Sequence, residues 1–251
     1  MTLKSTFTFL LSVMMTLVNA QFPTPDEEKV TGGKLTIQPV SHASLVLSLN
    51  KTNIYVDPTG GAEAYRGLTA PTLILITDTH GDHMDLKTIE AINTANATMV
   101  VPQAVADKLS ATTGKGKVVI LNNGDNTSQG DINIRAVPMY NLPEDTTSRH
   151  VKGRGNGYIV TMGGKNIYIS GDTEDIPEMR ALRNIDIAFV CMNMPYTMDV
   201  NQAAQAVLAF RPKIVYPYHY RGQDTNLFKT LVTTIDKNID VRLRSWYPAA
   251  K

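Results

Sequence analysis

Residues 73–77 read Leu-Ile-Leu-Ile-Thr, an apolar run without alternation, and Asp78-Thr79-His80-Gly81-Asp82-His83 follows at once. A strand with no polar face must be covered on both sides, so the chain has to supply layers above and below it. That requirement points to an α/β fold. The rest of the sequence provides the parts: residues 35–40, 44–49 and 53–56 read as strands, with a tight turn at Asn50-Lys51 between the second and third. Helical patterns at 86–95 and 104–111 flank a strand at 98–101. The second half repeats the rhythm, with strands at 118–121, 132–137, 158–161 and 166–170, the last two closed into a hairpin by Gly163-Gly164. Strands at 186–192, 213–216 and 241–245 alternate with helices at 200–210 and 226–236. No sequence repeat, low-complexity tract or linker divides them, so one domain of two helix-covered sheets is the simplest packing.

The first residues read differently. Lys4 precedes the uncharged apolar run 7–18, which ends in Val18-Asn19-Ala20. A basic start, a short apolar stretch and small residues at its end describe an export signal, and the run is too short to span a bilayer. The expected organisation is a signal peptide at 1–20, an N-terminal extension at 21–33 and the folded domain at 34–251, secreted or periplasmic after cleavage near Ala20. No later stretch reaches membrane-spanning length. Cys191 is the chain's single cysteine, which excludes an internal disulfide and a cysteine-rich zinc site; it reads as a buried core thiol. Lys and Arg number 24 against 23 Asp and Glu, which argues against general nucleic-acid binding and leaves a small molecule as the expected partner.

The chemistry lies where the apolar strand runs out. Asp78, His80, Asp82 and His83 place four metal-ligand side chains in six residues, and two of the chain's five histidines are among them. Gly81 frees the turn, and the strand end fixes the backbone. Imidazole with carboxylate suits Zn²⁺, Mn²⁺ or Fe²⁺ better than Ca²⁺ or Mg²⁺.

The stretch Asp78-Thr79-His80-Gly81-Asp82-His83 resembles the H-x-H-x-D-H signature of the metallo-β-lactamase-fold hydrolases. Further counterparts follow in order: His150 before a Gly-rich stretch, Gly171-Asp172-Thr173, and Pro217-Tyr218-His219-Tyr220. Early His42-Ala43-Ser44 and Asp57-Pro58 resemble the branch that includes the ascorbate-phosphate lactonases. The resemblance implies a four-layer αββα sandwich and a metal-dependent hydrolase. It assigns Asp78, His80 and His150 to one metal, and Asp82, His83 and His219 to a second, with Asp172 bridging. Two divalent ions, zinc first and Mn²⁺ or Fe²⁺ as alternatives, would share a hydroxide that attacks an ester, lactone, amide or phosphodiester, with Asp82 helping to orient it or accept its proton. No extra domain for gripping RNA is inserted. An iron-dependent redox enzyme on the same fold, or a secreted non-catalytic binding protein, are the alternatives.

The chain departs from the pattern at Asp78, where the family usually has histidine. Two divalent ions against three carboxylates and a hydroxide give a neutral core, whereas histidine would leave one positive charge. Asp78→His is expected to keep metal binding, since imidazole offers one nitrogen in place of one carboxylate oxygen, and the added charge is expected to lower the pH at which activity appears. His42 reads either as a contact at the site or as a packed histidine. Asp57 reads either as the orienter of a ligand histidine or as a plain turn residue. Tyr140, Tyr196, Tyr218 and Tyr220 read as pocket walls or as packing, Asp85 as a helix cap, and Lys152 and Arg154 as solvated cations or as contacts for an anionic substrate. Protein recovered from its native host should begin at Gln21, checked by N-terminal sequencing; cytosolic protein retaining Met1 contradicts the export reading.

Overall fold

The structure is a computed structural model and describes residues 23–92, 94–109 and 116–247; the signal-like residues 1–20 lie outside these. Seven strands make the first sheet in sequence order: β1 (Asp26–Val30), β2 (Gly33–Ser41), β3 (Ser44–Leu49), β4 (Thr52–Val56), β5 (Leu73–Leu75), β6 (Thr98–Val101) and β7 (Lys117–Ile120). Neighbours from β1 to β4 are antiparallel, and those from β4 to β7 are parallel. The second sheet repeats this plan with β8 (Asn126–Gln129), β9 (Ile132–Pro138), β10 (Asn156–Met162), β11 (Lys165–Ile169), β12 (Ile187–Cys191), β13 (Ile214–Tyr218) and β14 (Asp240–Val241). β8 to β11 pair antiparallel, and β11 to β14 pair parallel. The two halves thus share one connectivity, although their sequences show no repeat.

Helices α1 (Leu86–Ala91) and α2 (Gln103–Ala106) belong to the first half; α3 (Pro177–Arg180), α4 (Val200–Phe210) and α5 (Thr225–Ile235) belong to the second. The apolar run explains the layering. Leu73 and Leu75 point into the core shared with the second sheet, while Ile74 and Ile76 point into a separate core with Ile89 of α1 and Val105 of α2. A strand alternates its side chains, so one run serves two cores only when both faces are covered. Asp85 caps α1 by accepting from the backbone N–H groups of Lys87 and Thr88, as its place before residue 86 leads one to expect. Asp199 and Gln202 close a capping box on α4.

The structure differs from the sequence expectation mainly at the edges. Residues 26–30 lie within the stretch expected to be an extension, yet they form β1, paired with β2 through Asp26↔Ile37 and Val30↔Gly33. Its acidic sequence hides an edge strand whose charges are used: Asp26 accepts from Arg244 and from the Tyr216 hydroxyl, and Glu28 pairs with Arg242. β8 is wholly polar, Asn-Thr-Ser-Gln, and carries no hydrophobic signal. β14 is two residues long rather than the expected five. Cys191 is fully buried, and burial raises its thiol to about 11, so it is unreactive as expected of a core thiol. No helix among the described residues is long and apolar enough to cross a membrane.

The two sheets are joined just below the candidate ligand stretch that follows β5. Tyr158 on β10 is fully buried and donates its hydroxyl to the Ile76 carbonyl at 2.8 Å. Tyr158→Phe should destabilise the protein by about 1–2 kcal/mol in chemical denaturation, because it leaves a buried carbonyl without its donor; an unchanged midpoint contradicts this role.

Candidate metal centre

The candidate residues largely follow strand ends on one side of the sandwich. Asp57 follows β4, the Asp78–His83 stretch follows β5, Asp172 follows β11, and His219 follows β13. Ends of parallel strands are where open α/β sheets place their sites.

Asp57 is fully buried, with its backbone in the left-handed region at φ 43°. Its carboxylate accepts from the Thr77 backbone N–H at 2.7 Å, the Thr77 hydroxyl at 2.6 Å and His83 Nδ1 at 2.8 Å. A carboxylate only accepts, so Nδ1 carries the hydrogen and Nε2 is turned toward the cluster. Asn141 does the same for His150: its Oδ1 accepts from the His150 backbone N–H at 2.8 Å and from Nδ1 at 3.1 Å. The motif itself curls, with the N–H groups of His83 and Met84 both reaching the His80 carbonyl. Asp172 sits on a turn that favours glycine: Gly171 has φ +61°, and a Cβ there would lie 2.6 Å from Met139 Sδ.

These elements bring the seven expected ligand residues together in overlapping groups. Asp78, His80 and His150 form one; His83, Asp172 and His219 form another; Asp82 joins His219 and His42 in a third. Asp172 Oδ2 lies 3.3 Å from His83 Nε2 and 3.1 Å from His150 Nε2, while Oδ1 lies 3.5 Å from His219 Nε2. His219 Nε2 lies 3.5 Å from Asp82 Oδ2. Despite this crowding, six buried atoms make no hydrogen bond: His80 Nδ1, His83 Nε2, His150 Nε2, Asp172 Oδ1 and both nitrogens of His219. An unsatisfied buried polar group costs about 1–3 kcal/mol, so a cluster of them calls for partners; of the two His219 nitrogens, Nε2 is the one that faces Asp172 and Asp82. Imidazole nitrogens and carboxylate oxygens aimed past one another fit a divalent cation.

The charges agree. Burial would raise the Asp172 carboxyl, but the His219 and His83 imidazoles hold it well below the usual carboxylate range. Burial opposes a charge on His83, yet Asp172 and Asp57 together hold its pKa well above the ordinary histidine value. Burial would raise Asp82 too, and His219 and His42 outweigh it and keep it ionised.

His42 lies at the site, with Nε2 3.1 Å from Asp82 Oδ2 and its ring 3.8 Å from that of His219. Its Nδ1 meets the Tyr247 hydroxyl at 2.8 Å. Sequence reasoning does not find Asn141, Thr77 or Tyr247, which no ligand spacing marks. The four tyrosines read as pocket walls or as packing all have partners other than the ligand side chains. Tyr196 stacks under the Arg149 guanidinium, and the Tyr220 hydroxyl donates to the Arg244 carbonyl while its ring packs on Tyr247. Tyr218 is buried and accepts from the Gly171 N–H, and Tyr140 donates to Glu178. The cations also differ from expectation. Lys152 pairs with Glu144 and Glu178 over the Tyr140 ring. Arg154 is bonded to both oxygens of Asp78. Asp78→His would therefore remove the carboxylate that Arg154 engages, a partner that the sequence expectation for this substitution did not include.

Comparisons with known proteins agree with this architecture. The family model of the β-lactamase superfamily domain matches residues 36–219. A UPF0173 metal-dependent hydrolase of Thermococcus kodakarensis is 32% identical over 169 residues, 64% of this chain and 74% of the relative. One of Pyrococcus abyssi is 30% identical over 210 residues, 77% of this chain and 90% of the relative. A solved structure from Parabacteroides distasonis, described as a metal-dependent hydrolase, is 42% identical with a TM-score of 0.80, covering 89% of this chain and 99% of that one.

Because the raised His83 keeps a proton that a cation must displace, zinc should bind chelator-stripped protein more tightly as pH rises. The expected gain is about tenfold per unit for each proton displaced, between about pH 6 and 8. Calorimetric titration across that range checks it, and an affinity independent of pH contradicts it.

Proposed function

The chain belongs to the UPF0173 metal-dependent hydrolases of the β-lactamase superfamily, and from that premise we propose a dinuclear hydrolase of small molecules. Asp78, His80 and His150 would hold one ion and Asp82, His83 and His219 the other, with Asp172 available to both. The observation that carries this reading is the placement of Asp172 Oδ2, 3.3 Å from His83 Nε2 of one group and 3.1 Å from His150 Nε2 of the other. A shared carboxylate is the device by which two close cations are held together. Imidazole and carboxylate donors favour zinc.

When bound, the ions supply Lewis acidity and an activated water for attack on an ester, lactone, amide or phosphodiester. The chain's own residues do the rest. Asp57 and Asn141 fix the ring orientation of His83 and His150. The side chain of Asp82 is 34% exposed and faces the solvent side of the cluster, while those of His83, His150 and His219 are fully buried. Substrate therefore approaches past Asp82, whose Oδ2 accepts from His42 Nε2 and is placed to orient the attacking water or accept its proton, while the Tyr247 hydroxyl meets His42 Nδ1 and holds the ring. His42 and Asp57-Pro58, the residues that resemble the ascorbate-phosphate lactonase branch, put lactones first among substrates to try. The signal-like residues 1–20 support an exported enzyme.

Elemental analysis with a hydrolysis panel of lactones, esters and phosphodiesters tests the proposal. About two ions per chain are expected after reconstitution, and Asp172→Ala should lose an ion and at least about a hundredfold in rate. A protein that never exceeds one ion, or an Asp172→Ala variant with both ions and full rate, overturns it.

A further inference from the structure

Asp78 stands where the resemblance leads one to expect histidine, and a cation of the chain itself engages its carboxylate. The two oxygens have different surroundings. Oδ1 accepts from the Thr79 backbone N–H at 2.7 Å and from Arg154 Nε at 3.0 Å. Oδ2 accepts from Arg154 Nη2 at 2.7 Å, and lies 3.0 Å from His80 Nδ1 and 3.9 Å from His150 Nε2. Oδ2 is therefore the oxygen that faces the first ligand group, and a guanidinium nitrogen already occupies it. The same Nη2 lies 3.4 Å from His80 Nε2. The Asp78 side chain is fully buried, whereas that of Arg154 is 26% exposed and sits between Gly153, at φ +86°, and Gly155. The arginine is the partner with room to withdraw.

We propose that Arg154 is a built-in competitor for the first metal position: its guanidinium must release Asp78 Oδ2 before an ion enters, so the second position fills first and more tightly. This rests on the two-metal reading above. Two physical effects act in the same direction. A bidentate arginine–carboxylate pair is among the stronger hydrogen-bonded contacts and blocks the ligand oxygen directly. The guanidinium also adds a fixed positive charge beside the entering cation, which restores the one positive charge that an aspartate in place of histidine removes. Removing Arg154 need not disorder Asp78, because the Thr79 N–H still holds Oδ1.

The test is a calorimetric titration of chelator-stripped full-length protein with Zn²⁺, for the wild type, Arg154→Gln, Asp78→His and the double variant, with thermal melts to confirm folding. The wild type should show two binding steps. Arg154→Gln should tighten the weaker step by about tenfold or more and bring the two together. Asp78→His should weaken or abolish the weaker step, and the double variant should recover it. An arginine that merely positions Asp78 gives the opposite sign, with a looser first position in Arg154→Gln, and that result overturns the proposal. Two equal steps in both wild type and Arg154→Gln also overturn it while leaving the two-metal reading intact. One ion in every variant overturns both.

Discussion

The buried carboxylate of Asp57 is the contact on which the centre depends. It takes three hydrogen bonds, two from Thr77 and one from His83, and so ties the end of β4 to the end of β5 and aims one imidazole. A fully buried carboxylate is costly unless such donors meet it. Here the donors are the backbone and side chain of the residue that leads into the Asp78–His83 stretch. The fold's apolar run and its polar cluster meet at Thr77: upstream, Leu73 to Ile76 alternate between two cores, and downstream, Asp78, His80, Asp82 and His83 are all ligand candidates. The backbone bends to allow this, with positive φ at Asp57, His42 and His219. Conformations of that kind cost of order 1–3 kcal/mol each for residues other than glycine, and they persist where surrounding structure enforces them.

Much of this is legible in the amino-acid sequence. The unbroken apolar run implies layers on both faces, and the density of histidine and aspartate after it marks the site. The features that escape a sequence reading do so for physical reasons. β1 and β8 are edge strands whose side chains face solvent or ion-pair partners, so neither has the apolar alternation that a half-buried strand shows. The shared connectivity of the two sheets is a backbone property with no counterpart in residue identity. Asn141 and Tyr247 act through hydrogen bonds to His150 and His42, and an isolated asparagine or tyrosine has no spacing to announce it. Arg154 looks solvated in the sequence because it stands between two glycines; only Asp78, across 76 residues of chain, makes it a partner.

Charge balance links these details. The centre concentrates Asp78, Asp82 and Asp172 with five imidazoles, and the neighbouring Arg154 offsets the carboxylate that departs from the family pattern. Most of the ligand atoms that lack hydrogen bonds face Asp172 or one another at 3.1–3.5 Å. A divalent cation placed among them would satisfy these nitrogen and oxygen atoms together.

Anomalous diffraction at the zinc edge from crystals equilibrated with Zn²⁺ tests that claim most directly. Two peaks about 3.5–4 Å apart are expected, one enclosed by Asp78, His80 and His150, the other by Asp82, His83 and His219, with Asp172 reaching both. A single peak, or density held by His42 and Asp82 away from Asp172, would contradict the account.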